Sequence, residues 1–141
     1  MAGLFFTFSA FAMRALAALP PHQGMAAMQS INTTILNPLF FSVFFGAMAT
    51  SLYALIYALR HRQEAGAGYL MAGALCYLIG SFLVTTPFNV PLNDALAGVK
   101  PGSSEGARVW ADYLTRWTLW NHVRTATSTL ATAFFALAMQ A

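Results

Sequence analysis

The sequence predicts an all-α integral membrane protein, a four-helix bundle with a short interfacial helix and a long fourth helix, and three observations carry that reading. Hydrophobic residues fill 58% of the 141 positions and charged residues only 8%, whereas a soluble domain carries charge on about 25% of its residues. Several apolar runs approach the ~20 residues that a helix needs to cross the hydrocarbon core. Proline, glycine and short polar segments punctuate those runs where helices stop and start. So few charges do not cover a water-facing surface, and the two strongest runs lack the polar face that helices of a soluble bundle present.

The elements follow in order. The first span, 4–19, is apolar but interrupted by Arg14. No Lys or Arg precedes Leu4, so the segment reads as a retained helix rather than a cleaved signal peptide. Pro20 and Pro21 stop it. In the connection 20–37, Met25, Met28, Asn32 and Ile35 recur at helical spacing, which places a short helix at the interface. Asn37 followed by Pro38 is an N-cap with proline at the first helical position. The second span, 38–59, contains no charge and ends in the polar turn Arg60–Glu64. The third, 69–88, is also uncharged, and Pro87 and Pro91 are expected to close it around Asn89. After the turn 101–104, a stripe of Val109, Trp110, Tyr113, Leu114 and Trp117 starts a helix that runs on into the fourth span, 117–139. That helix stands beyond the membrane by roughly two to three turns.

A single membrane domain, 1–141, results. The larger connections, 20–37 and 89–116, share one side, and the termini share the other with the short turn. Arg60 and Arg62 favour a cytoplasmic position for that turn, in the plasma membrane, whereas Lys100, Arg108 and Arg116 on the long connection argue the other way by count. Ser42, Gly46, Thr50, Ala54 and Ala58 repeat every four residues, as do Gly68, Ala72, Cys76 and Gly80. Such ladders let backbones approach closely in lipid, either inside one bundle or between copies in a homo-oligomer.

Several functions are excluded. The net charge of +3 is scattered rather than run together, so no nucleic-acid partner is expected. Cys76 is the only cysteine and reads as a packing residue. No metal-ligand cluster, dinucleotide glycine pattern or phosphate loop is present.

The polar residues concentrate at the end with the long connections: Arg14, His22, Asn32, Asn37, Asn89, Asn93, Asn121, His122 and Arg124. A charge at mid-helix depth costs about 2.5–3.5 kcal/mol on insertion scales, so Arg124 is either paired or used. On the fourth helix Trp117, Asn121, Arg124 and Ser128 form one stripe, and Thr118, His122, Thr125 and Thr129 the next. Together they make a broad polar face directed at the bundle or a wet cavity. The bland alternative has Arg124 capping carbonyls or snorkelling outward and His122 as a satisfied buried histidine. His22 and His61 read as solvated. Arg14 either snorkels or pairs inside, and Asn89 and Asn93 either line a site or form turns around Pro91. Trp117 and Trp120 are either ring-stacking residues or part of an interface belt.

The runs Phe88-Asn-Val-Pro-Leu-Asn93 and Trp117-Thr-Leu-Trp-Asn-His-Val-Arg-Thr125, with Met28-Gln-Ser-Ile-Asn32 and Asn37-Pro38, resemble the anthrone-oxygenase-like family of small four-helix membrane proteins. The resemblance covers nearly the whole chain, in order and spacing, and the Asn-His-Val-Arg block is its most specific part. It implies oxidation of an anthrone-like phenolic molecule by O2, in which the protein supplies a base, stabilises an oxyanion and holds a flat ring. In that reading His122 is the base, and Arg124 with Asn121 holds the oxyanion. Asn89, Asn93 and Asn32 contact the substrate, and Trp117 and Trp120 stack its ring; Arg14, which lies outside the matching motifs, is a further substrate-binding candidate from its place in the first span. The deprotonated anthrone can react with oxygen without a metal, and a haem-bound version with His122 as ligand stays open. A carrier for a hydrophobic small molecule and a structural membrane subunit are the non-enzymatic alternatives.

Overall fold

A computed structural model describes residues 1–141 and is all-helical, without strands. Five helices follow in order: α1 (Ala2–Ala17), α2 (Pro21–Thr34), α3 (Pro38–Arg60), α4 (Ala67–Ala97) and α5 (Ser104–Ala138). The starts are set locally. The Asn37 side chain accepts from the Phe40 amide at 3.0 Å, and Pro38 occupies the first turn. Ser103 caps α5 by accepting from the Gly106 amide at 2.9 Å. Gly66 opens α4 at φ 80, and a Cβ there would stand 2.9 Å from the Ala138 carbonyl oxygen, so only glycine fits between the two helix ends.

α4 departs from expectation. Its prolines do not end it near residue 88, because the helix continues through Pro87 and Pro91 to Ala97. Two π-helical turns, Leu78–Leu83 and Thr85–Asn89, precede the α-helical segment Val90–Ala97. Widening the turn shifts the hydrogen-bond register and absorbs the missing N–H groups of proline. α1 carries a similar π turn at Phe8–Ala12.

Two of the four expected spans, Pro38–Arg60 and Ala67–Ala97, are long and apolar enough to cross a membrane, and α1 is apolar but shorter. α5 runs unbroken for 35 residues, about 52 Å at 1.5 Å per residue. α1 lies antiparallel to its first part: Asn121 donates to the Phe5 carbonyl at 2.8 Å, the Phe8 ring meets Trp117 edge-on at 5.5 Å, and Met13 joins Trp110, Tyr113 and Trp117 in the core. Met25 and Met28 of α2 and Leu92 and Leu96 of α4 complete that core. It sits at the end with the long connections, where α2 and the end of α4 cover the start of α5.

α3 packs on α4 alone among the helices, and only 11% of its most apolar stretch is buried, against 39% in α4. Its buried residues are Phe44, Ser51 and Ala58. The ladder expected to pack inside the bundle is therefore mostly turned away: Ser42, Gly46 and Thr50 are exposed, and nothing lies within 4 Å of a Cβ placed on Gly46. The close approach between α4 and α5 uses Gly73 and Gly80 instead. At Gly80 a Cβ would meet Thr127 side-chain atoms at 2.2–2.7 Å.

Candidate functional site

Because α3 touches neither α1 nor α2, a cleft remains between it and the rest of the bundle. There a cavity of about 440 Å³ opens, within the ~300–1,000 Å³ typical of small-molecule sites. All five helices line it. One wall is aromatic: Phe40 stacks on Phe44 at 5.5 Å, and Phe44 on Phe82 of α4 at 5.3 Å. The polar lining comes from α2 (Gln29, Asn32), α4 (Thr85, Asn89, Asn93) and α5 (Asn121, Arg124).

The buried residues of α5 are Gly106, Trp110, Tyr113, Trp117, Asn121, Arg124, Ser128 and Ala131, one stripe at helical period. Arg124, 6% exposed, donates from Nη2 to Asn121 Oδ1 at 2.9 Å and from Nη1 to Thr85 Oγ1 at 3.3 Å. Its guanidinium lies 4.4 Å from the Phe5 ring centre and 5.2 Å from that of Trp117, a geometry that stabilises a desolvated cation. No carboxylate pairs with it, since the ion pairs of the chain are His61–Glu64 and Arg116–Asp112. Arg124 Nε, Trp117 Nε1 and Asn89 Oδ1 are buried without a partner. Three residues that line one cavity thus keep unused hydrogen-bonding capacity, two as donors and one as an acceptor.

A second polar group closes the end nearer the core. The Tyr113 hydroxyl donates to Asn93 Oδ1 at 2.8 Å and accepts from Asn32 Nδ2 at 3.3 Å, and both asparagines line the cavity. Burial pushes the Tyr113 phenol well above its ordinary pKa, so it stays a protonated donor. Its ring stacks between Trp110 and Trp117, at 5.8 and 5.6 Å.

Of the residues singled out in the sequence, Asn32, Asn89, Asn93, Trp117, Asn121 and Arg124 come together around this cavity. His122, Trp120 and Arg14 do not line it. His122 is exposed, with Nδ1 2.9 Å from Ser9 Oγ, because the boundary between the two polar stripes of α5 falls between residues 121 and 122. Trp120 stacks on Phe88 at 3.7 Å. Arg14 is exposed and donates to the Ala10 carbonyl. The cavity lining contains neither imidazole nor thiolate, and His122, the candidate ligand in the haem alternative, lies outside it, so the lining does not supply that ligation.

Sequence reasoning missed Phe5, Ser9, Thr85, Asp94 and Tyr113. Thr85, Asn89 and Asn93 stand four residues apart, and that signal was hidden by reading Pro87 as a stop. Asp94 is the single carboxylate of the lining and is exposed.

A family model described as anthrone oxygenase matches residues 39–134. No curated protein matches the chain, and no solved structure does.

Proposed function

The chain belongs to the anthrone oxygenase family, and from that premise we propose that it is a membrane-embedded oxygenase for a flat, hydrophobic, phenolic or anthrone-like molecule. Arg124, a buried cation without an acidic partner in a cavity faced by stacked phenylalanines, carries this reading. Such a site binds a planar ring that bears an anionic oxygen. α1, α3, α4 and the part of α5 after Trp117 form the four spans of the membrane bundle. The turn with Arg60 and Arg62 faces the cytoplasm.

In the reaction, the substrate loses a proton and its conjugate base is oxidised by O2. For an anthrone, the methylene carbon loses both hydrogens and gains one oxygen atom as a carbonyl, and the second oxygen atom leaves as water. Arg124 stabilises the developing oxyanion by charge and hydrogen bonding in a water-poor site. Asn121 fixes the guanidinium. Asp94, at the exposed edge of the cavity, is the ionisable group of the lining able to accept the proton.

The test is anthrone oxidation by the purified protein in lipid nanodiscs, followed by anthraquinone absorbance above the spontaneous rate. Wild type accelerates it and Arg124→Ala does not. Equal rates in the two proteins would refute the oxyanion role. Anthrone binding without turnover would replace the enzyme with a carrier.

A further inference from the structure

His122 lies outside the cavity yet is connected to it. Its Nδ1 is 2.9 Å from Ser9 Oγ. The same oxygen accepts from Asn121 Nδ2 at 2.8 Å and lies 2.9 Å from Thr125 Oγ1. The other Asn121 amide hydrogen goes to the Phe5 carbonyl, and Asn121 Oδ1 receives Arg124 at 2.9 Å. Every hydrogen-bonding group of this fully buried amide is therefore used.

Proton counting orders the hub. Ser9 has one hydroxyl proton and two lone pairs. Thr125 Oγ1 donates to the Asn121 backbone carbonyl at 2.9 Å, so its lone pairs are left to accept from Ser9. Asn121 Nδ2 takes one Ser9 lone pair. The remaining lone pair faces His122 Nδ1, which then carries the proton. The chain His122 → Ser9 → Thr125 → Asn121 backbone carbonyl is a run of aligned donors, and aligned hydrogen bonds polarise one another.

We infer that His122 is a positioning residue, acting through Ser9 to hold the Asn121 amide that orients Arg124 in the cavity. The inference rests on the oxygenase reading for its kinetic consequence but not for its geometry. It assigns a role to Ser9, on the π turn of α1, and removes the need for an imidazole at the substrate.

The test combines turnover with a structural signal. Ser9→Ala and His122→Ala each lower kcat/KM for anthrone by about tenfold, the scale of one lost hydrogen bond. The double variant is no worse than either single one, because residues in one network are not additive. His122→Asn, whose amide nitrogen falls near the position of Nδ1, recovers most of the loss. A general base would instead lose about 10²–10⁴-fold in both His122→Ala and His122→Asn, and that outcome overturns the inference. Independently, both alanine variants shift the Asn121 side-chain amide resonance in an NMR spectrum of the labelled protein in micelles, and His122→Asn returns it. An unmoved resonance in His122→Ala also overturns the inference. If wild type does not turn over anthrone, the oxygenase reading fails and the resonance alone decides the relay.

Discussion

Arg124 and Asn121 sit one helical turn apart on α5, and the guanidinium donates to the amide oxygen at 2.9 Å in a site where both side chains are buried. The pair leaves the cation held but not neutralised. A carboxylate in place of the amide would cancel the charge offered to a ligand and would also remove both donors, to the Phe5 carbonyl and to Ser9 Oγ, so Asn121→Asp is expected to weaken anthrone binding, measured by titration in nanodiscs, and to lower the unfolding midpoint.

Arg124→Met separates function from stability. Replacing a buried charge by a side chain of similar volume relieves desolvation, while Asn121 Oδ1 is left without a donor at a cost of about 1–3 kcal/mol. The two terms oppose one another. Thermal unfolding in detergent is expected to stay within about 1 kcal/mol of wild type, with anthrone oxidation lost.

The glycines give a matched pair. Gly80→Ala forces a methyl into Thr127, which holds Ser81 at 3.1 Å, and overpacking of this kind costs about 1–3 kcal/mol. Gly46→Ala meets nothing within 4 Å and gains about 0.5–1 kcal/mol from helix propensity. Opposite shifts of the unfolding midpoint check both.

Tyr113→Phe removes the hydroxyl between Asn32 and Asn93 and leaves two polar side chains short of a partner, at a cost of about 1–2 kcal/mol. The stack on Trp110 and Trp117 remains. Unfolding measurements should show that loss together with weaker anthrone binding, since both asparagines line the cavity.

At the opposite end, Tyr57 and His61 each lie 2.8 Å from Glu64, and these hydrogen bonds hold its carboxyl below its ordinary pKa. A lowered folded-state pKa stabilises the fold above the ordinary carboxylate value, and the effect is lost as pH falls through the lowered one. The group is exposed, so the effect is small. Protection against hydrogen exchange in the 60–66 turn, referred to the intrinsic rate at each pH, is expected to fall on acidification, and Glu64→Gln to abolish that response.

Much of the fold was legible. The Asn37-Pro38 start, the short helix after Pro21 and the unbroken run of α5 follow from capping chemistry and period. Pro87 and Pro91 misled because a proline reads as a stop unless neighbouring turns widen, and the π turns around Thr85 depend on packing against α5. The small-residue ladder of α3 was likewise visible as spacing, but spacing does not say which way a face points.

The same distinction governs the site. Composition and the 3.6-residue period were enough to establish an apolar helical protein and to put Trp117, Asn121 and Arg124 on one stripe with His122 beside them. Tertiary structure alone decided that the inward arc of α5 includes Asn121 and stops short of His122, that α3 stands off from α1 and α2, and that Ser9 of α1 joins His122 to Asn121. The physical reason is that period assigns residues to faces within one helix, whereas the direction of each face is set by close contacts with other helices.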